Sequence, residues 1–158
     1  APASIAGAVA QALSEVIAGL IYVNAMKPGH PCICGTWPFV SDLRTGAMSG
    51  GSGEQGLLTA ACAQMLQYYD LPGGAAAGMA DAKMPDAQSG YEKGSTLVMA
   101  GLSGLNMVYE AAGMHASLLG FCLDSLVIDN DMLGQCLRCV RGIEVNDETL
   151  AVQVMKDI

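Results

Sequence analysis

Charge is scarce in this sequence. Of 158 residues only 14% are Asp, Glu, Lys or Arg, and seven basic residues face fifteen acidic ones, a formal net charge of −8. So few cations cannot neutralise a phosphate backbone, which excludes nucleic-acid binding driven by counterion release. The acids are spread along the chain, so there is no acidic tail. Aromatics are also few: one Trp, five Tyr and two Phe. No internal repeat is visible, and the start lacks the basic segment of a secretory signal. A disordered chain is excluded from the other side, because 52% of residues are hydrophobic and the mean hydropathy is +0.38. The expectation is one soluble globular piece, residues 1–158, that buries much of itself. The absence of an initial Met and the helical pattern still running at Lys156-Asp157-Ile158 point to part of a larger domain.

The most apolar stretch, Ile5 to Val23, carries Gln11, Ser14 and Glu15 at its middle. A membrane span would have to bury that carboxylate in lipid, so the expectation is no membrane and a buried helix of a soluble protein. Six cysteines are present, Cys32, Cys34, Cys62, Cys122, Cys136 and Cys139. Nothing marks secretion, and Cys136-Leu-Arg-Cys139 lacks the second pair that a zinc site needs. Free, mostly buried thiols in a reducing cytoplasm are the expected state.

Hydrophobic periodicity predicts helices over 4–26, 54–69, 91–100 and 118–141 and a further short one from Asn146, with Ser4 and Asp86 as caps. Between them lie short apolar runs read as strands: Pro31–Gly35, Gly74–Gly78 and Leu105–Glu110. The last long helix is expected to turn Leu119, Cys122, Leu126, Leu133, Leu137 and Val140 inward, with Asp124, Asp131 and Arg138 outward. Strands alternating with helices define an α/β chain with a parallel sheet. Chemistry in such chains collects on the loops after the strands, here beginning at Thr36, Met79 and Ala111.

Those loops hold the candidate residues. Trp37 and Phe39 offer aromatic faces to a cation. The stretch from Met79 to Lys93 places Asp81, Lys83, Asp86, Gln88, Glu92 and Lys93 in fifteen residues. Glu110 closes the third strand; buried there, it must be paired, with Lys83, or protonated. His30 and His115 read as isolated structural residues. Gly51-Ser-Gly53-Glu-Gln-Gly56 is a literal G-x-G-x-x-G, which keeps a Rossmann-like nucleotide-binding module as the rival reading, although a polar loop rather than a strand precedes it. Its helix start could equally hold a carboxylate.

In order along the chain come Pro31 to Gly35, Asp42-Leu-Arg-Thr-Gly46, Gly51-Ser52-x-Glu54 and Asp81-Ala-Lys83-x-Pro85-Asp86-x-Gln88-x-Gly90-x-Glu92-Lys93. Gly113-Met114, Leu126 to Asp131, Gly142-Ile143 and Glu148 to Ala151 follow. Together they resemble trimethylamine methyltransferase-like (MttB-type) proteins over essentially the whole chain. The resemblance implies a (β/α)8 TIM-type barrel, of which this would be a C-terminal portion, since a complete ring takes about 250 residues. Exposed strand edges in such a piece would favour association into homo-oligomers.

The resemblance further implies methyl transfer from a methylated amine to the cobalt of a separate corrinoid protein, so the cobalamin belongs to a partner and this chain holds no cofactor or metal tightly. Trimethylamine enzymes of the family carry pyrrolysine two residues before the Asp of the Asp-Ala-Lys motif; this sequence has Met79. It therefore resembles the non-pyrrolysine branch, whose members act on quaternary amines such as glycine betaine. On that basis Glu110 and Asp81 are the candidate catalytic residues, as counter-charges. Trp37, Phe39, Met79, Lys83, Gln88 and Glu54 are the candidate substrate-binding residues, with Lys83 or the amides of Gly53–Gly56 receiving a substrate carboxylate.

Overall fold

The structure is a computed structural model and describes residues 2–158. Helix α1 (Ile5–Met26) starts where Ser4 Oγ accepts from the Gly7 amide at 3.2 Å. Then come β1 (Cys34–Thr36), α2 (Gly53–Tyr68), β2 (Gly73–Ala76), α3 (Ala87–Leu102) and β3 (Met107–Tyr109). A small hairpin, β4 (Met114–His115) and β5 (Gly120–Phe121), leads into α4 (Leu123–Arg141). Two short helices, α5 (Asp147–Leu150) and α6 (Val152–Lys156), close the chain. Asp86 caps α3 as expected, exchanging bonds with Ser89.

The first three strands form one parallel sheet in the order β1-β2-β3. Its register sets Gly35 opposite Gly74 and Ala76 opposite Tyr109. The central strand reads Gly-Gly-Ala-Ala, a poor β-former by composition. Its small residues are explained by what presses on both faces. A Cβ at Gly73 would stand 2.8 Å from Leu66 of α2, and one at Gly74 would collide with Tyr109 from the opposite face. All four residues are buried. The architecture among the described residues is thus α/β with a three-stranded parallel sheet.

One core cluster joins Ala8 and Ala12 of α1 to Leu58 and Cys62 of α2. A second joins Ala77, Leu97, Ala100 and Cys136, seaming the end of β2 to α3 and α4. All six thiols are free; Cys34, Cys62 and Cys136 are buried and Cys139 is exposed.

Two expectations need correction. Helix α1 is long and apolar enough to cross a membrane by composition, yet within this chain only Ala8 and Ala12 are buried, while Ile21 and Tyr22 lie open. It is a one-sided packing helix. Helix α4 is also rotated from the expected setting, its buried residues being Ser125, Asp129 and Cys136. Leu126 and Leu137 remain 41% and 60% exposed. The cause is polar: Asp129 is drawn inward by a buried cation, and this outweighs the apolar stripe.

Candidate functional site

The downstream ends of the three parallel strands bring Trp37, Met79 and Glu110 to one end of the sheet. Trp37 lies just past β1 and stacks on Tyr109, the last residue of β3, with ring centres 5.4 Å apart and planes 14° off parallel. Phe39 meets Trp37 edge-on at 5.8 Å. Tyr109 reaches back across the sheet over Gly74 towards Gly35, where a Cβ would lie 3.4 Å from its hydroxyl. The following residue, Glu110, is held at φ 61°, left-handed backbone that costs a non-glycine residue energy. Its Oε2 is buried with no hydrogen-bond partner among the described residues, and burial pushes the carboxyl above its ordinary pKa. Lys83 does not pair with it. Its exposed ammonium lies 3.4 Å from the backbone carbonyl of Asp81.

After β2 the chain turns at Gly78, with φ 84°; a Cβ there would stand 2.9 Å from the Ala111 carbonyl oxygen, so the second and third loops touch. Met79 follows, fully buried and packed over Gly50. It forms part of the wall between two loops and presents no accessible surface.

Asp81 is an anchor. Ser49 Oγ donates to Oδ2 at 2.5 Å, the Gly51 amide to Oδ1 at 3.2 Å, and Ser117 Oγ also donates to Oδ1. Burial alone would raise its pKa, but the bonds from Ser117, Ser49, Gly51 and Gly50 prevail and hold the carboxyl below its ordinary value. A depressed pKa adds stability above the unfolded-state value, and this is lost as pH falls through the folded one. Asp81→Asn should therefore cost about 1–3 kcal/mol near neutrality. The gap to wild type should close as pH falls below about 4, as checked by urea titrations along a pH series.

Glu92 ties the same loops from beneath. Its Oε2 accepts from the amides of Asp81 at 2.7 Å and Ala82 at 3.2 Å, and its Oε1 from the Gln88 side chain at 2.8 Å. Gln88 therefore supports the loop from the start of α3, while Glu54 stands exposed in the first turn of α2. A cavity of about 710 Å³ opens beside these loops, lined by Asp42, Met48, Asp81, Lys83, Ser117 and Leu119 among others.

Behind the loops lies a group of residues whose connection was not read from the sequence. Lys93 Nζ meets Asp129 Oδ2 at 2.6 Å, with both side chains at least 95% buried. Asp129 Oδ2 also accepts from the Gly113 amide at 2.7 Å. His115, expected to be isolated, turns Nδ1 to the Ala82 carbonyl at 3.1 Å, which requires the proton on Nδ1. Its Nε2 then accepts from Ser125 at 2.5 Å and lies 3.4 Å from Lys93 Nζ. This buried net pins the β4–β5 hairpin, which in turn delivers Ser117 to Asp81.

The G-x-G-x-x-G run does not sit in a dinucleotide-binding context. Residues 37–52 separate β1 from α2, with only an isolated Ser41–Met48 bridge between. The Gln55 and Gly56 amides are already taken by the side chain and carbonyl of Ser52, and the Gly51 amide by Asp81. Among the described residues no three His, Cys, Asp or Glu side chains converge as a metal site.

The profile of the family described as trimethylamine methyltransferase (MTTB) matches residues 1–158. The glycine betaine methyltransferase of Desulfitobacterium hafniense (strain Y51) is 33% identical over 157 residues, covering 99% of this chain and 33% of that protein. Trimethylamine methyltransferase MttB of Methanosarcina barkeri (strain Fusaro / DSM 804) is 37% identical over 157 residues, 99% of this chain and 32% of that protein. MttB of Desulfitobacterium hafniense (strain DSM 10664 / DCB-2) is 34% identical over 155 residues, 98% of this chain and 31% of that protein. The chain spans about a third of the length of these relatives. Matched along its whole length, it belongs to the trimethylamine methyltransferase (MTTB) family.

Proposed function

We propose that this chain forms part of a (β/α)8 barrel whose mouth holds a quaternary ammonium while one methyl group passes to the cobalt of a corrinoid protein. The observation that carries this reading is the aromatic group of Trp37, Phe39 and Tyr109 at the ends of parallel strands, with a buried, unpartnered carboxylate oxygen on Glu110, the residue that follows Tyr109. Aromatic faces and a nearby carboxylate attract a cation that has no N–H to donate. The outer edges of β1 and β3, unpaired among the described residues, are where further strands of the ring would join.

The corrinoid, presented by its partner in the cytoplasm, supplies a cobalt nucleophile for the methyl carbon. Trp37, 45% exposed above the strand ends, leaves that approach open. This chain's part is to bind, orient and exclude water. As the C–N bond breaks, its electron pair stays on nitrogen and a neutral tertiary amine leaves, so no protein proton is required. Glu110 serves as counter-charge, and Lys83, exposed beside the cavity and bonded to the Asp81 carbonyl, receives a substrate carboxylate. Asp81, with both oxygens engaged, orders the mouth. Met79 closes a loop wall and supplies no electrophile, which favours quaternary over tertiary amines.

The test is methyl transfer by the full-length barrel to cob(I)alamin or its carrier protein, with glycine betaine, carnitine, choline and trimethylamine offered in parallel. Turnover of a quaternary amine is expected, with trimethylamine left intact. Strong activity on trimethylamine alone would overturn the reading.

A further inference from the structure

The backbone that carries Lys83 is fixed peptide by peptide. Glu92, 6% exposed on α3, sets Oε2 against two consecutive amides, those of Asp81 at 2.7 Å and Ala82 at 3.2 Å. The Ala82 amide belongs to the same peptide unit as the Asp81 carbonyl, on which the Lys83 ammonium rests at 3.4 Å. In a trans peptide the N–H and C=O point in opposite directions. Holding the N–H therefore turns the carbonyl to the other side, where Lys83 lines the cavity. The next carbonyl, that of Ala82, meets His115 Nδ1 at 3.1 Å and the Ala116 amide at 3.0 Å. Two anchors thus grip the chain leading into Lys83, and Glu92 acts on the peptide that its ammonium touches. Room for the glutamate comes from Gly51, where a Cβ would stand 2.8 Å from the Glu92 carboxyl.

We propose that Glu92 is a positioning residue: through the Asp81–Ala82 peptide it holds the Lys83 ammonium where a substrate carboxylate arrives, and so sets a preference for betaines over quaternary ammoniums that lack an acid group. This rests on the reading of Lys83 given above. A lysine has a long, flexible stem, so an exposed ammonium meets an anion in one place only if something limits its freedom. The Asp81 carbonyl does this, and its direction is inherited from Glu92. What the geometry asks of Glu92 is an oxygen in place. An amide oxygen at the same position accepts from the same two N–H groups, and Gln88, which now donates to Oε1 at 2.8 Å, can turn its own amide over to accept.

The test compares glycine betaine with tetramethylammonium, which carries the cation without the carboxylate, by calorimetry on the full-length enzyme. Wild type should prefer the betaine, and Lys83→Met should abolish the preference. Glu92→Asp keeps the acid but draws its oxygens back by one methylene; it should cut the preference about tenfold while leaving tetramethylammonium affinity nearly unchanged. Glu92→Gln keeps an oxygen in place and should retain the preference. Glu92→Met, which removes both acceptors, makes the same comparison if the aspartate variant does not fold. A merely structural role would lower both affinities together. That result, or a preference unmoved in the aspartate and methionine variants, overturns the role of Glu92 and leaves Lys83 standing. Equal affinity of wild type for the two ligands, or a preference that survives Lys83→Met, overturns the reading of Lys83 itself.

Discussion

Lys93→Met is expected to lower the unfolding free energy by about 3–5 kcal/mol. Methionine nearly matches the lysine stem, so the packing between α3 and α4 survives the change and the loss is electrostatic. Asp129, only 3% exposed, would retain one donor, the Gly113 amide, and lose the charge that compensates it. A carboxylate left this way must bring in water or take up a proton, and either disrupts the fold. Removing both partners tells a different story. Lys93→Met with Asp129→Leu should recover most of the loss, because a well-packed apolar pair often equals or exceeds a buried ion pair. Urea unfolding of wild type, both single variants and the double variant completes the cycle. A single-variant loss below about 1 kcal/mol would show that the pair behaves as a surface ion pair reached by water. The consequence reaches the mouth: Asp129 holds Gly113 at the start of the hairpin, and the hairpin carries Ser117 to Asp81.

The alternation of helix and strand could be read from residues 5–109 because each element there has one dominant signal. Apolar steps of three and four mark α1 and α2, and short apolar runs mark the strands. Even the glycine-rich β2 is legible through its place between two βα units. The hairpin at 114–121 was not, since two-residue strands leave no periodicity, and the turn rests on Ala116, Ser117 and Leu118 all at positive φ, where glycine would be the usual signal. The setting of α4 failed for a related reason. Its buried line of Ser125, Asp129 and Cys136 follows helical spacing, but a hydrophobicity criterion assigns Asp129 to water. The matching clue lay in α3, where Lys93, Thr96, Leu97 and Ala100 share one inward face. A lysine on a buried stripe demands a buried anion, and no local pattern identifies a partner 36 residues away. The same limit applies to Tyr109: its stack on Trp37 comes from strand register, which only the folded sheet supplies. Trp37, Asp81 and Glu110 were legible as residues of the strand ends; their separate environments were not.

Glycine betaine should bind the full-length enzyme more tightly as pH rises through the titration of Glu110, and Glu110→Gln should flatten that profile. Burial holds the free carboxyl above its ordinary pKa, so it stays protonated, and offers the cation no counter-charge, to higher pH than an ordinary glutamate. A bound ammonium favours the ionised form, so binding releases a proton and affinity must rise with pH until the free enzyme is fully ionised. At the high-pH plateau the variant should bind more weakly by on the order of 2 kcal/mol, about thirtyfold in Kd. Stability should move the other way. For an acid whose folded pKa is raised, the folded state holds the proton more tightly than the unfolded chain. Ionisation therefore begins to cost stability above the unfolded pKa, and the cost is complete once pH passes the folded one. Glu110→Gln should thus match wild type in acid and exceed it near neutrality, where it no longer carries a desolvated charge or the orphaned Oε2 as a carboxylate. Greater stability together with weaker, pH-independent binding is the expected signature of a charge held under strain to meet a cation. Asp81, whose carboxyl is held low by its donors, loses its proton at lower pH than Glu110 and does not account for that profile. Measuring proton release by calorimetry in two buffers of different ionisation enthalpy checks it: release should be largest near the Glu110 midpoint and absent in the variant. Equal release from wild type and Glu110→Gln would assign the titration to another group.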